Sequence, residues 1–276
     1  MSITKCFIAS AGFGTRMGDV GKILPKPLWP IFNMRILDLQ LQYLRELGID
    51  EVYMNTHHHS KELKKWSKEK NVTVLEEEIL LGSGGCIHNL MEKYSINEKI
   101  LIINADQFLF FDKKELTVVV NEVIESNADA CLFAISVDAS LGYNETVVAN
   151  NVLNEINKTP QRNKYLTYSG VGVLDLEKIK FKKGVSGFFE SVCNYKNSKV
   201  LMKEFAKYEY WDFGTTQRYI ESLRGCFQNN SMSRFLGRNN VVIPEPSQCI
   251  EMLNGGFRVQ LFDEEKIEYQ GEVSFP

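Results

Sequence analysis

Between Lys5 and Val137 the chain alternates short apolar runs with longer segments whose apolar residues recur at helical spacing. Lys5–Ala9, Glu51–Met54, Val72–Leu75, Ile100–Ile103 and Ala130–Val137 have the length and composition of strands. Ile36–Leu47 sets Ile36, Leu37, Leu39, Leu41, Leu44 and Leu47 mostly on one helical face, and Gly48 follows as a stop signal. Ser60–Lys70 reads as a charged helix with a solvated face, and Cys86–Tyr94 and Lys113–Ser126 as further helices. Strands separated by helices of this length predict right-handed crossovers and an α/β fold, a Rossmann-like, mostly parallel sheet with helices on both faces. Such sheets bind ligands beyond the carboxyl ends of their strands.

From about residue 143 the pattern changes. Thr146–Ala149, Val152–Ile156 and Tyr165–Leu174 are strands separated by polar turns, and a helix from Thr215 to about Phe227 closes this part. The remainder carries Pro244, Pro246 and an Asn254–Gly256 turn signal, which predicts β-rich or irregular structure. The expected organisation is one catalytic domain, residues 1–228, with a small C-terminal appendage, residues 229–276.

Composition narrows the class without naming a chemistry. Of the 276 residues, 44% are hydrophobic and 24% charged, ordinary values for a globular protein. A net charge of −3 gives no electrostatic reason to expect nucleic acid or an anionic membrane as partner. No apolar stretch approaches the roughly 20 residues of a membrane-spanning helix, and Cys6–Ala9 is too short for a signal-peptide core. Cys6, Cys86, Cys131, Cys193, Cys226 and Cys249 form no C-x-x-C pair, so reduced, mostly buried thiols in a cytoplasmic protein are expected.

The chemistry begins in the loop after the first strand, "CFIASAGFGTRMGDVGKILPKPLWPI", Cys6–Ile31. A dinucleotide fingerprint fails because Met17 stands at the third glycine position and no acidic residue ends a second strand about 20 residues on. The kinase-type phosphate loop fails because Gly21-Lys22 is followed by Ile23, with no glycine at the required offset. A loop of Ala11, Gly12, Gly14 and Thr15 can still wrap a triphosphate with backbone N–H groups. Arg16 is placed to neutralise the β- and γ-phosphates. Lys26, ten residues later and stiffened by Pro25 and Pro27, reaches the α-phosphate.

This arrangement resembles the nucleoside-triphosphate:sugar-1-phosphate nucleotidyltransferases, whose signature is G-x-G-[ST]-R and then a lysine within P-K-P-L-x-P-I. The chain departs from it at Gly18–Gly21, where the family usually carries P-x-T. Three more stretches fall in the family's order: "EEEILLGSGGCI" (Glu76–Ile87), "LIINADQF" (Leu101–Phe108) and "YWDFGTTQRYIES" (Tyr210–Ser222). The likeness covers roughly residues 3–228 and implies a glycosyltransferase-A-like nucleotidyltransferase fold. It implies that Gly82 and Ser83 pack against base and ribose, and that Asp106 and Asp212 bind Mg²⁺. "LTYSGVGVLD" (Leu166–Asp175), with Gly170, is similar to uridylyltransferases for N-acetylmuramic acid 1-phosphate and to guanylyltransferases for heptose or mannose 1-phosphate.

On that resemblance the substrates are a nucleoside triphosphate and a sugar 1-phosphate, and the catalytic set is Arg16, Lys26, Asp106 and Asp212. Such a displacement needs in-line positioning and charge neutralisation more than an acid or base, and Mg²⁺ suits two carboxylates plus phosphate oxygens. Lys158 stands in place of the family's E-K-P lysine that contacts the sugar phosphate, although Asn157 replaces the glutamate; a solvated surface lysine is the other reading. Asn144 stands where many relatives have glycine and would narrow the sugar pocket, and Gly170 borders it. His57–His59 are read as loop residues above the sheet, since soft nitrogen ligands suit Zn²⁺ and not Mg²⁺. Two alternatives stay open: a cytidylyltransferase for a non-sugar phosphate such as phosphocholine, and a non-catalytic nucleotide-sugar sensor. A homo-oligomer is compatible with the nucleotidyltransferase reading.

The base is read from Glu77. Guanine offers two donors on its Watson–Crick edge, whereas uracil offers one donor between two acceptors, and a carboxylate only accepts. Glu77 therefore favours GTP over UTP as an expectation, with Glu76 and Glu78 beside it as the competing picture of a solvated turn.

Overall fold

The structure is a computed structural model describing residues 3–12, 25–31, 34–57, 60–228, 250–253, 256–260 and 266–270. The strands are β1 Lys5–Ala9, β2 Pro30–Ile31, β3 Met34–Arg35, β4 Glu51–Thr56, β5 Thr73–Glu76, β6 Lys99–Asn104, β7 Gln107–Phe110, β8 Ala130–Asp138, β9 Glu145–Ala149, β10 Val152–Asn157, β11 Lys164–Asp175, β12 Val200–Glu204, β13 Glu209–Asp212, β14 Ile250–Leu253, β15 Gly256–Gln260 and β16 Lys266–Gln270. The helices are α1 Ile36–Leu47, α2 Ser60–Lys70, α3 Gly82–Tyr94, α4 Lys113–Glu125, α5 Phe188–Ser191 and α6 Thr216–Gln228.

Local chemistry accounts for the element ends. Asp38 accepts from the Arg35 N–H at the start of α1, and Gly48 takes a left-handed conformation at its end. Asp38 also accepts from Trp66 Nε1 at 3.0 Å and pairs with Lys70 at 3.0 Å, which ties α2 to α1. Asp112 caps α4 by accepting from the Lys114 N–H at 3.2 Å. Asn150 and Asn151 both have positive φ, the backbone of a tight hairpin turn between β9 and β10.

Nine strands form one sheet in the order β5-β4-β1-β6-β11-β8-β12-β10-β9. β5, β4, β1 and β6 are parallel, as expected from their intervening helices. The expectation of a mostly parallel sheet needs correction beyond β6. β11 inserts antiparallel between β6 and β8, β12 returns parallel to β8, and β10 and β9 add antiparallel pairs. No long helix separates β8 to β11, so these strands enter by turns and hairpins instead of crossovers. The sheet is mixed. β14, β15 and β16 pair with one another as a separate antiparallel sheet.

Both faces of the large sheet are covered, because residues alternate along each central strand. Cys6, Ile8, Leu101, Ile103 and Phe133 pack against Leu37 and Leu44 of α1, Leu63 and Trp66 of α2, and Val119 and Val123 of α4. Phe7, Ile100, Ile102 and Leu132 face the other way, onto Ile87 and Leu90 of α3 and Phe188 of α5. Each such side chain, fully buried, contributes about 1.5–3 kcal/mol of transfer free energy. This double-sided core fixes the carboxyl ends of β1, β4 and β6 side by side, and the candidate site stands on those ends.

Candidate active site

The parallel register sets Ala9 opposite Asn104, so the loop after β1 and the segment after β6 leave the sheet together. The Ala105 N–H donates to Ala9 O at 3.0 Å. Asp106 follows at once, and β7 then pairs antiparallel with β13 so that Gln107 faces Asp212. The Phe213 N–H donates to Asp106 O at 2.8 Å. Two aspartates more than a hundred residues apart in sequence are thereby locked next to one another. Gly214 lies between them: a β-carbon there would stand 2.8 Å from Asp212 Oδ1 and 3.7 Å from Asp106 Oδ2.

Lys26 joins this pair. It opens a one-turn 3₁₀ helix, Lys26–Leu28, closed by the Leu28 N–H to Pro25 O and the Trp29 N–H to Lys26 O, both at 2.9 Å. Leu28 and Trp29 are buried and anchor the turn. From it the Lys26 ammonium forms an ion pair with Asp106 Oδ2. Asp212 is 7% exposed and more heavily engaged. Its Oδ1 accepts from the Gly214 N–H at 2.6 Å, and its Oδ2 accepts from the Tyr143 hydroxyl and from Arg218 NH1 at 2.9 Å. Burial, and then the bond to Asp212, hold the Tyr143 hydroxyl well above its ordinary pKa, so it donates across the neutral range. Burial also raises Tyr210, whose hydroxyl accepts from Gln107 Nε2 at 2.8 Å.

Gly170 sits where β11 shifts register against β8, with φ of +83°. A side chain there would collide with Gln107 Oε1 and Asn104 Nδ2, which are themselves hydrogen-bonded at 2.7 Å. A cavity of about 770 Å³ is lined by Gln107, Gly142, Tyr143, Asn144, Thr215 and Arg218 among others, and Tyr143 and Arg218 reach from its wall to Asp212. Asn144, expected at the sugar pocket, lines it. Lys158 does not: it lies on the exposed turn after β10, which the buried Glu145 holds through the Gln161 N–H at 2.9 Å.

On the nucleotide side, Ala11 is buried and Gly12 exposed at the mouth of the loop. Gly14, Thr15 and Arg16 lie outside the described residues, as do His58 and His59. Ser83 Oγ accepts from the Phe188 N–H at 3.0 Å, and Ser186 O accepts from the Gly84 and Gly85 N–H groups. The start of α3, with Gly82, is thus docked on residues 184–188, and the Ser83 hydroxyl serves the fold.

Glu77 requires correction as an open base-reading edge. It is 4% exposed, and both carboxylate oxygens are taken: Oε1 by Asn55 Nδ2 at 2.7 Å and Oε2 by the Leu81 N–H at 3.0 Å. Asn55 Oδ1 in turn accepts from the Ser10 N–H at 2.7 Å and the Ala11 N–H at 3.3 Å. Glu77 braces the root of the glycine loop through Asn55. His57 Nδ1 lies 2.9 Å from Glu77 O, so this histidine joins the same brace.

Sequence reasoning missed Asn55, Tyr210 and Arg218. Asn55 carried a signal, a polar residue inside an apolar strand, which is tolerated only when hydrogen-bonded. Arg218 carried one too, as a cation in the first turn of the helix that follows Asp212.

The described residues contain no group of three or more His, Cys, Asp or Glu that could hold a metal ion. The pair Asp106 and Asp212 nevertheless fits Mg²⁺, which keeps several waters and needs few protein ligands. Two neighbouring carboxylates also call for positive charge, and Lys26 and Arg218 pair with one each. Among the described residues no helix is long and apolar enough to cross a membrane.

Solved structures share the fold. The structure of HddC from Yersinia pseudotuberculosis complexed with GMP-PN has a TM-score of 0.67 at 20% identity, covering 80% of this chain and 99% of that one. UDP-glucose pyrophosphorylase complexed with UDP-glucose gives 0.64 at 17% identity, covering 83% and 100%. Both likenesses show the fold. In sequence, the chain is 30% identical over 117 residues to D-glycero-alpha-D-manno-heptose 1-phosphate guanylyltransferase of Campylobacter jejuni, covering 41% of this chain and 52% of that protein. It is 30% identical over 159 residues to a bifunctional sugar-1-phosphate nucleotidylyltransferase/acetyltransferase of Sulfurisphaera tokodaii, covering 57% and 37%. The chain thus spans about half or less of these relatives' own length. Residues 6–161 match the MobA-like NTP transferase domain, more than half of the chain, and the protein belongs to that family.

Proposed function

We propose that the chain is a sugar-1-phosphate nucleotidyltransferase that takes GTP in preference to UTP and releases pyrophosphate. The observation that carries this reading is the convergence of Asp106, Asp212 and Lys26, with Tyr143 and Arg218 linking Asp212 to the wall of a cavity large enough for a sugar phosphate. An oxygen of the acceptor's phosphate forms the new bond to the α-phosphorus while the bond to the β-phosphate's bridging oxygen breaks, and the electron pair leaves with pyrophosphate. The phosphate nucleophile is already ionised, so no side chain needs to take a proton. Lys26, held rigid by its prolines, neutralises charge on the α-phosphate, and Arg16 serves the β- and γ-phosphates. Asp106 and Asp212 would hold Mg²⁺, which when bound supplies further neutralisation of the phosphate oxygens. The GTP preference rests on the heptose 1-phosphate guanylyltransferase relative and a further relative, a putative mannose-1-phosphate guanyltransferase of Sulfolobus acidocaldarius. It no longer rests on Glu77.

In this reading residues 1–228 are the catalytic domain, and the thiols of Cys6, Cys86, Cys131 and Cys193 are structural. All four are free and buried, and burial pushes Cys86 up to about 12, which suits an unreactive thiol in the cytoplasm. Lys26→Ala tests the site: kcat should fall by roughly 10²–10³, the scale of one lost transition-state donor, with a smaller effect on melting. A Lys26→Ala enzyme that only melts earlier and keeps its kcat removes the assignment.

A further inference from the structure

Asp212 uses its two oxygens in different directions. Oδ1 takes the Gly214 N–H, whereas Oδ2 takes Tyr143 and Arg218, both of which line the 770 Å³ cavity. Arg218 is fixed on three sides: NH1 on Asp212 at 2.9 Å, NH2 on Leu141 O at 2.8 Å, and the guanidinium carbon 4.3 Å from the centre of the Tyr143 ring. A guanidinium carries five N–H donors in a planar fork, and these contacts engage one donor on each terminal nitrogen. Arg218 is also one of the residues that line the cavity. Among the described residues lining it, Arg218 is the cation, and the one carboxylate, Glu221, accepts from Gln217 at 2.9 Å.

We propose that Arg218 seats the phosphate of the acceptor, a phosphomonoester dianion, in this cavity. The inference rests on the nucleotidyl-transfer reading above and assigns the cation that reading lacks, since Lys158 does not line the cavity. A polar cavity beside a carboxylate would repel a dianion unless a fixed positive group met it, and a planar fork matches two phosphate oxygens at once. Asp212, Leu141 and Tyr143 hold that fork before the acceptor arrives, so little side-chain freedom is lost on binding.

The test is initial-rate kinetics of pyrophosphate release in wild type, Arg218→Gln and Arg218→Lys, varying each substrate in turn. Arg218→Gln should raise the sugar 1-phosphate KM by roughly 10- to 100-fold, the scale of a lost charged hydrogen bond, with the GTP KM within about two-fold. Inorganic phosphate, used as a competitor of the acceptor, should lose inhibitory strength in the same proportion. Arg218→Lys should recover part of the loss, because an ammonium keeps the charge but not the fork, and it serves if the glutamine variant folds poorly. An acceptor KM unchanged in both variants, or acceptor and GTP KM values rising together, overturns the assignment and leaves Arg218 as a brace for Asp212. A wild type that turns over no pair removes the nucleotidyl-transfer reading and this inference together; a working wild type with unaltered variants removes this inference alone.

Discussion

Glu77 illustrates how one buried carboxylate differs from its neighbours. Glu76 is paired with Lys64 at 2.5 Å on the surface and Glu78 is exposed, while Glu77 accepts from the Leu81 N–H and from Asn55. Neither donor can reverse at no cost. Leu81 offers a backbone N–H, and turning the Asn55 amide would take its oxygen from the Ser10 N–H. Glu77→Gln would therefore set an NH₂ group against a donor, at a cost of about 1–3 kcal/mol. Urea denaturation should show that loss, and the ratio of kcat/KM for GTP and UTP should stay where it was; a ratio moved tenfold with stability intact would return Glu77 to the base. The sequence held a clue in the alternation of β5: Leu75 points inward, Glu76 outward, and period two turns Glu77 inward again. Three identical residues in a row hid it, because composition alone suggests a solvated turn. Tyr143 yields a second prediction at this scale. Its folded pKa is raised, so its share of stability is fully present below the ordinary value near 10.0 and is lost as pH rises through the folded value. Urea midpoints from pH 9 to 11 should fall more steeply in wild type than in Tyr143→Phe, and equal slopes would contradict the half-buried donor.

Among elements, the pairing of β7 with β13 decides the site, and it was the least legible. The residues proposed to carry the chemistry, Asp106 and Asp212, stood out as motifs, yet neither flanking strand was foreseen. "QFLF" and "EYWD" are each four residues long, and the register that sets Gln107 opposite Asp212 spans about a hundred residues of chain. Local periodicity carries no information about such a partner. By contrast β1, α1 and α2 were legible to the residue, since their apolar spacing and the Gly48 stop are local features. Gly170 tests the element level. Gly170→Ala forces a β-carbon into the Asn104–Gln107 hydrogen bond at a positive φ, for a cost on the order of 1–3 kcal/mol. The variant should melt earlier and lose kcat together, because Gln107 holds both β7 and the cavity wall; unchanged melting and rate would show that the register shift in β11 tolerates a side chain.

At the scale of the molecule, two kinds of sheet meet at β6. The half built from helix-separated strands followed from pattern alone; after Gly142 the strands themselves were legible but their order was not, because β11 inserts between β6 and β8 from far along the chain. The join gives the site its position: parallel carboxyl ends bring the glycine loop and Asp106, and the antiparallel half brings Tyr143, Gly170 and, through β13, Asp212. Charge neutralisation by a divalent ion is then the expected requirement of the whole assembly, so turnover should collapse in EDTA and in Asp106→Asn and Asp212→Asn. Full rates in chelator would contradict that. The most direct measurement is pyrophosphate release across a matrix of nucleoside triphosphates and hexose and heptose 1-phosphates with Mg²⁺ present. The account predicts pyrophosphate formed one for one with a nucleotide sugar, only when an acceptor is supplied, and fastest with GTP. Release of inorganic phosphate without an acceptor, or no release from any pair, would contradict it.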